Sequence, residues 1–268
     1  MSGRRAAGAI LLAVGLLHAA VAAGQAPAPS RGTGGAREPD AARLLANVLH
    51  LNDNDVRFRT SQGKTVFVDP MAGPANPVAT KQGMTKPDLI LITHSHRDHY
   101  DVVVLKGYVD RNPGLVVAGP ADVVTYAKVD GIEVREVRPG QEYTMAGVRF
   151  RTVPAYFLDG SHPREKGWVG YVLSLDGASY YVTGDTQALP EVTEVRADVL
   201  FPPLFGCGGN VEQALAMVAA GKPRVAVPVH SGAEENVIAA FLSRLPPGVQ
   251  GAYFKDGGLV VRPPAATR

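Results

Sequence analysis

The stretch Ile92-Thr93-His94-Ser95-His96-Arg97-Asp98-His99-Tyr100-Asp101 holds three of the chain's seven histidines, directly after the apolar run Leu89-Ile90-Leu91-Ile92. His94 and His96 stand two apart, so in extended chain they point to the same side. Asp98 and His99 follow as the chain turns. Neutral imidazole and carboxylate suit zinc and similar divalent ions. His94 and His96 can share one ion, and Asp98 and His99 can serve a second beside it. Two ions ~3.5–4 Å apart would clamp a bridging hydroxide and polarise a substrate oxygen. A merely solvated polar loop has no need of His-x-His-x-Asp-His, least of all after a buried strand.

Two ions need further donors. His18 lies in the apolar N-terminal stretch. His50, in Val48-Leu49-His50-Leu51, has the apolar neighbours of a structural histidine. That leaves His162, in Asp159-Gly160-Ser161-His162-Pro163, and His230, which ends the apolar run 225–229. Asp185 ends the strand-like run 180–183 in Thr183-Gly184-Asp185-Thr186, and a carboxylate there could bridge. Asp176 is better explained by a turn, and Asp159 has no strand to hold it. The remaining candidates sit at strand ends, where a rigid scaffold can aim them.

The elements that must position these residues are legible as periodicities. Residues 148–153 alternate with period two, as a half-buried strand does. Residues 171–175 and 178–182 flank Asp176-Gly177, a dipeptide that favours the tight primed turn of a hairpin. Asn210-Val211-Glu212-Gln213 resembles a capping box before a helix over 214–220, with Gly221 as its stop. Residues 234–245 carry Val237, Ile238, Phe241, Leu242 and Leu245 on one helical stripe. Residues 121–128 and 188–195 read as weaker helices. Strands outnumber helices and the order is mixed, so two sheets with helices outside is the expected layering.

The 268 residues are 46% hydrophobic and 19% charged, enough for one large domain with its own core. At the N-terminus, Arg4 and Arg5 precede an apolar run over 6–21 and the small residues Val21-Ala22-Ala23. That pattern predicts a cleaved export signal over 1–23, since the run is short for a span of ~20 apolar residues. Residues 24–40, rich in Gly, Pro, Ala and Ser, read as a flexible linker. The folded domain is expected over 41–268. The expected location is periplasmic or secreted, with no membrane attachment after cleavage. Cleavage removes two arginines and no acids, so the formal charge falls from +2 to 0. No basic run remains to grip nucleic acid. Cys207, the only cysteine, excludes both an internal disulfide and a cysteine-built zinc site.

Taken in order, these motifs resemble the metallo-β-lactamase superfamily over roughly residues 45–245. Thr-His-Ser-His-Arg-Asp-His at 93–99 is similar to the superfamily's His-x-His-x-Asp-His motif. Asp69-Pro70, Thr-Gly-Asp-Thr at 183–186 and Pro-Val-His at 228–230 resemble its other motifs. The run Ala155-Tyr156, His162-Pro163 and Gly167-Trp168-Val169-Gly170-Tyr171 resembles its lactonase-like and phosphodiesterase-like branch. The resemblance implies an α/β (α+β) fold, a four-layer αββα sandwich with metals at one sheet edge. It implies that His94, His96 and His162 bind one ion, that Asp98, His99 and His230 bind the other, and that Asp185 bridges them. Asp69 would support the metal-bearing loop from behind. His162 departs from the common Gly-His-Thr-x-Gly context.

The chemistry so implied is hydrolysis of an ester, lactone, amide or phosphodiester in a small-molecule substrate. Metal lowers the pKa of bound water to ~7 and holds the developing oxyanion, while Asp98 orients the nucleophile and carries a proton. The cofactors would be two divalent ions, zinc first and manganese or iron next. The competing reading on the same fold is a mononuclear iron, persulfide-dioxygenase-like oxidoreductase. A non-catalytic metal-binding module is the third. Tyr100, Tyr156, Phe157, Trp168 and the glycine-rich 206–209 loop fit ordinary packing at least as well as a pocket lining.

Overall fold

Alternation of apolar side chains along short strands produces two sheets that share a core. The computed structural model describes residues 40–51, 53–71, 84–206, 210–232, 234–255 and 257–262. The expected signal, most of the expected linker and Cys207 lie outside them. The described residues belong to one unit, Arg37–Arg268.

The first sheet has six strands in chain order: β1 (Val48–His50), β2 (Val56–Arg59), β3 (Thr65–Val68), β4 (Leu89–Leu91), β5 (Val116–Gly119) and β6 (Arg135–Glu136). The pairs from β1 to β3 are antiparallel and those from β3 to β6 parallel. The second sheet has eight strands: β7 (Glu142–Met145), β8 (Val148–Pro154), β9 (Val169–Leu175), β10 (Ala178–Val182), β11 (Val199–Phe201), β12 (Val225–Ala226), β13 (Gln250–Lys255) and β14 (Gly258–Arg262). It is antiparallel from β7 to β10, parallel from β10 to β13, and closed by antiparallel β14.

The period of two decides which way each side chain faces. Val66 and Val68 of β3 enter the cluster between the sheets, with Leu89 and Leu91 of β4, Tyr171 and Leu173 of β9, and Val199 and Phe201 of β11. Their neighbours face outward. Phe67 and Ile90 join a second cluster with Leu105 of α2 (Val102–Arg111) and Val123 and Ala127 of α3 (Ala121–Val129). Val172, Tyr181, Leu200 and Ala226 join a third, with Ala214 and Met217 of α5 (Val211–Gly221) and Phe241 of α6 (Glu235–Ser243). Two outer helical layers on two inner sheets give the expected αββα sandwich. The short helices α1 (Asp40–Leu45) and α4 (Pro190–Thr193) complete the α-helices among the described residues, and a 3-10 turn spans Arg164–Lys166.

The expected hairpin forms, with Asp176 (φ 50°) and Gly177 (φ 78°) at its turn. Asn210 caps α5 by accepting from Gln213 N at 3.0 Å. The capping box is only half made, because the Gln213 side chain turns away to accept from Ala188 N at 2.9 Å. Gly221 is the last helical residue of α5, and the left-handed stop is Lys222 (φ 50°). The helix expected over 188–195 shortens to α4, whose start is fixed by Pro190. α2 is an element that the sequence pattern did not declare, since Val102-Val103-Val104 carries the β-branched signature of a strand. Asp101 overrides it: its Oδ1 accepts from Val103 N at 3.0 Å and Val104 N at 3.1 Å.

The two sheets are stitched where β4 ends. The Tyr171 hydroxyl of β9 donates to Ile92 O at 2.7 Å, and Val169 N donates to Thr93 O at 3.2 Å. Tyr171 is fully buried. Its replacement by Phe leaves the Ile92 carbonyl unpaired and is expected to cost about 1–3 kcal/mol. Urea unfolding measures this, and an unchanged midpoint would show that the rim does not need the tie.

Candidate metal centre

Four connections that leave the same edge of the sandwich deliver the predicted residues. His94, His96, Asp98 and His99 follow β4. His162 lies in the β8–β9 hairpin connection, which Ala155 N closes by donating to Trp168 O at 2.9 Å. Inside that connection Phe157 N donates to His162 O at 3.0 Å. Thr186, one residue past Asp185, pins it by exchanging hydrogen bonds with the Tyr156 backbone. Asp185 follows β10. His230 follows β12, whose parallel pairing with the end of β11 continues through the Pro203–Val229 bridge.

All seven converge. His94, His96 and His162 offer ligand atoms within 4.8 Å of one another, as do His94, His99 and Asp185, and Asp98, His99 and His230. Asp185 stands between the groups. Its Oδ2 lies 4.0 Å from His94 Nε2, 3.9 Å from His162 Nε2 and 3.4 Å from His230 Nε2. Its Oδ1 lies 3.3 Å from His99 Nε2. Asp98 Oδ2 lies 3.3 Å from His230 Nε2. The Asp98 side chain is 50% exposed, while those of His94, His99, His162 and Asp185 are each at most 4% exposed. The centre is therefore open on the Asp98 side.

The donor set fits a divalent cation. His94 Nε2, His162 Nε2, His230 Nε2 and Asp185 Oδ1 are buried and make no hydrogen bond. An unpaired buried polar group costs about 1–3 kcal/mol, and native proteins rarely keep four together. Lone pairs of nitrogen and carboxylate oxygen aimed at common points are what a cation such as zinc satisfies. Protonation favours the same fit. Burial and the nearby His99 hold His94 well below the ordinary histidine value, and burial pulls His162 down to about 4. Both are neutral at pH 7, as ligands must be. Burial also opposes charge on His99 and His230, but the carboxylates outweigh it. Asp185 and Asp69 hold His99 well above the ordinary value, and Asp185 and Asp98 raise His230 to about 10. The second group thus carries positive charge wherever metal does not supply it.

Supporting contacts hold three of the candidate ligands, His99, His230 and Asp98. Asp69 Oδ1 accepts from Thr93 N at 2.7 Å. Asp69 Oδ2 accepts from Thr93 Oγ1 at 2.6 Å and lies 2.8 Å from His99 Nδ1, which leaves His99 Nε2 toward the centre. Asp69 is buried and sits at φ 46°. Two neighbours in the β1–β2 connection do comparable work that no motif announced. Asp53 O accepts from His230 N at 2.7 Å, and Asp53 Oδ1 accepts from Ser231 N and Gly232 N at 2.6 and 2.8 Å. These bonds hold His230 in the left-handed region, φ 48°, a strained conformation for this side chain. Asn54 Nδ2 donates to Asp98 O at 3.0 Å and lies 3.1 Å from His99 Nε2. His50 Nε2 bonds Asp53 O at 3.0 Å, which agrees with a structural histidine. Gly206 closes the floor at φ 105°. A Cβ there would come within 3.0 Å of Asp185 Oδ2 and 3.6 Å of His230 Nε2, so only glycine fits.

Tyr156, Phe157 and Trp168 are buried, and the Tyr100 hydroxyl donates to Asp130 Oδ2 at 2.8 Å. Phe157 and Trp168 pack their rings against that of His162, each 4.8 Å away centroid to centroid.

Two outcomes are expected. Zinc held by the second group would displace protons from His99 and His230, so affinity there is expected to rise with pH toward about 10, whereas His94 and His162 need no such loss at pH 7. Calorimetry at pH 7 in buffers of different ionisation enthalpy should show release of on the order of one to two protons per chain. Buffer-independent heats would contradict this. Gly206→Ala should lose metal affinity by at least about tenfold while keeping the fold, because the methyl meets Asp185 and His230 directly. Wild-type affinity in that variant, measured by competition with a chromophoric chelator, would contradict the close approach.

Residues 48–230 match the family model described as the beta-lactamase superfamily domain. A UPF0173 protein of Pyrococcus furiosus is 33% identical over 175 residues, 64% of this chain and 77% of that protein. A UPF0173 metal-dependent hydrolase of Thermus thermophilus is 31% identical over 183 residues, 63% of this chain and 77% of that protein. Among solved structures, Igni18, a metallo hydrolase from Ignicoccus hospitalis, superposes with a TM-score of 0.63 at 18% identity, over 81% of this chain and 97% of that one. At that identity the likeness speaks for the fold. With two thirds of its length matched by the family model and the motif residues gathered at one edge of the sandwich, the chain belongs to the metallo-β-lactamase superfamily.

Proposed function

We propose that this chain is a hydrolase that works with two divalent metal ions, His94, His96 and His162 holding one and Asp98, His99 and His230 the other, with Asp185 shared. The observation that carries the reading is Asp185 itself, a buried carboxylate with one oxygen toward His99 and the other toward His94, His162 and His230. The relatives named metal-dependent hydrolases support it. So does the count of seven donors, more than a single iron centre uses.

Bound in such a set, divalent ions acidify water to a pKa of about 7 and polarise a substrate oxygen. The chain's own residues do the rest. Asp98 is the half-exposed member, so water and substrate approach along it. His230, whose Nε2 lies 3.3 Å from Asp98 Oδ2, holds the Asp98 carboxyl below its usual range against the opposing effect of burial. It is therefore ionised at neutral pH, able to orient a water molecule and take its proton at Oδ2. Asp98 can return that proton to the leaving group. Asp185 is buried, which would raise its pKa, but His99, His230 and His94 hold it well below the ordinary value. It stays a carboxylate and does not compete for the proton. The bond cleaved would be an ester, lactone, amide or phosphodiester in a small molecule.

The test is hydrolysis of a panel of esters, lactones, β-lactams and phosphodiesters by the zinc- and manganese-loaded chain. At least one class should turn over. Asp98→Asn is expected to lower kcat about 10²–10⁴-fold, the range of lost general acid–base catalysis. Asp185→Ala and His96→Ala should lose metal and activity with circular dichroism unchanged. Full activity in Asp185→Ala, or one iron per chain with no hydrolysis of any class, would sink the proposal.

A further inference from the structure

Trp168 is the chain's only tryptophan, and it is buried at the centre rather than set in its mouth. Its ring lies 4.8 Å from that of His94, 4.9 Å from His96 and 4.8 Å from His162, centroid to centroid. It thus touches all three histidines of the first group. The indole has a fixed anchor of its own. Its Nε1 donates at 2.6 Å to Asp122 Oδ2, which also accepts from Ser95 Oγ at 2.7 Å. The other Asp122 oxygen is held at 2.8 Å by the amide of the following residue. Ser95 lies between His94 and His96, so one carboxylate oxygen grips both the backing wall and the strand end that bears two of the ligands.

A ring packed against three imidazoles decides their tilt, and a planar ring is rigid only if something fixes its plane. The chain has Asp122 for that purpose, on the first turn of α3 and 46 residues away in sequence. None of the ligand motifs includes it. We infer that Asp122 and Trp168 are positioning residues that set the geometry, and hence the metal affinity, of the His94–His96–His162 group. The inference rests on the reading that this group holds a metal ion.

The geometry supplies its own reporter. Co²⁺ at the first group would sit against the only tryptophan and quench its emission, while a d–d absorption band follows occupancy independently. The experiment titrates the chelator-stripped full chain with Co²⁺ and follows both signals. Wild type should quench with the first equivalent. Asp122→Ala should shift the emission to the red as the indole loosens. It should also weaken the quenching equivalent about 10–100-fold, the range for loss of a contact that supports a ligand. Asp122→Asn keeps an acceptor oxygen for the indole and should return affinity to within about threefold of wild type. Should Asp122→Ala fail to fold, Trp168→Phe carries the test by absorption alone. It keeps a ring against the histidines, deletes the N–H, and should show a comparable loss. Wild-type affinity with unshifted emission in Asp122→Ala overturns the inference, as does wild-type affinity in Trp168→Phe or an Asn variant as weak as Ala. A wild-type chain that binds no Co²⁺ overturns the metal reading and this inference with it.

Discussion

A carboxylate buried among four imidazoles is the constraint on which the rest of this structure depends. Asp185 is 4% exposed and lies within 4.0 Å of His94, His99, His162 and His230. A charge in that position is costly unless it is paired and its partners are held in place. Four connections from two sheets must therefore end within a few ångströms of one another. The αββα sandwich meets that demand because β4 and β9 are joined at its rim through Tyr171, Ile92, Thr93 and Val169.

Three of the seven candidate ligands are then fixed from behind by separate devices. Asp69 ties the end of β4 to His99, Asp53 bends the chain at His230, and Asn54 fastens the Asp98 turn. Asp69 and His230 pay for this with positive φ angles, 46° and 48°. Strained backbone persists only where its surroundings over-determine it, and here those surroundings are these hydrogen bonds. The outcome is asymmetric. His94 and His162 sit in a buried, neutral pocket behind, while charged His230 stands beside Asp98, the half-exposed member at the front.

The parts legible in the sequence are those whose signal is local. His94 to His99 announce themselves by spacing, the hairpin by Asp176-Gly177, and the half-buried strand β8 by its alternation. The candidate ligands could be picked out because His162 and His230 are the only histidines after His99. The supporting residues carry no such mark. Asp53 reaches Ser231 across 178 positions, Asn54 reaches Asp98 across 44, and Asp122 reaches Trp168 across 46. A hydrogen bond over that separation leaves no period in the chain. Gln213 shows the converse: its place in a capping box is a sound local expectation, and the distant Ala188 amide takes the side chain instead. The β-branched start of α2 likewise yields to the cap at Asp101.

The central claim is that Asp185 is shared between two metal ions. Anomalous diffraction from crystals of the zinc-loaded chain, collected on both sides of the zinc edge, tests it most directly. Two peaks are expected, one among His94, His96 and His162 and one among Asp98, His99 and His230, with a different Asp185 oxygen on each or one oxygen on both. A single peak under saturating zinc, or two peaks of which Asp185 touches only one, would contradict the account.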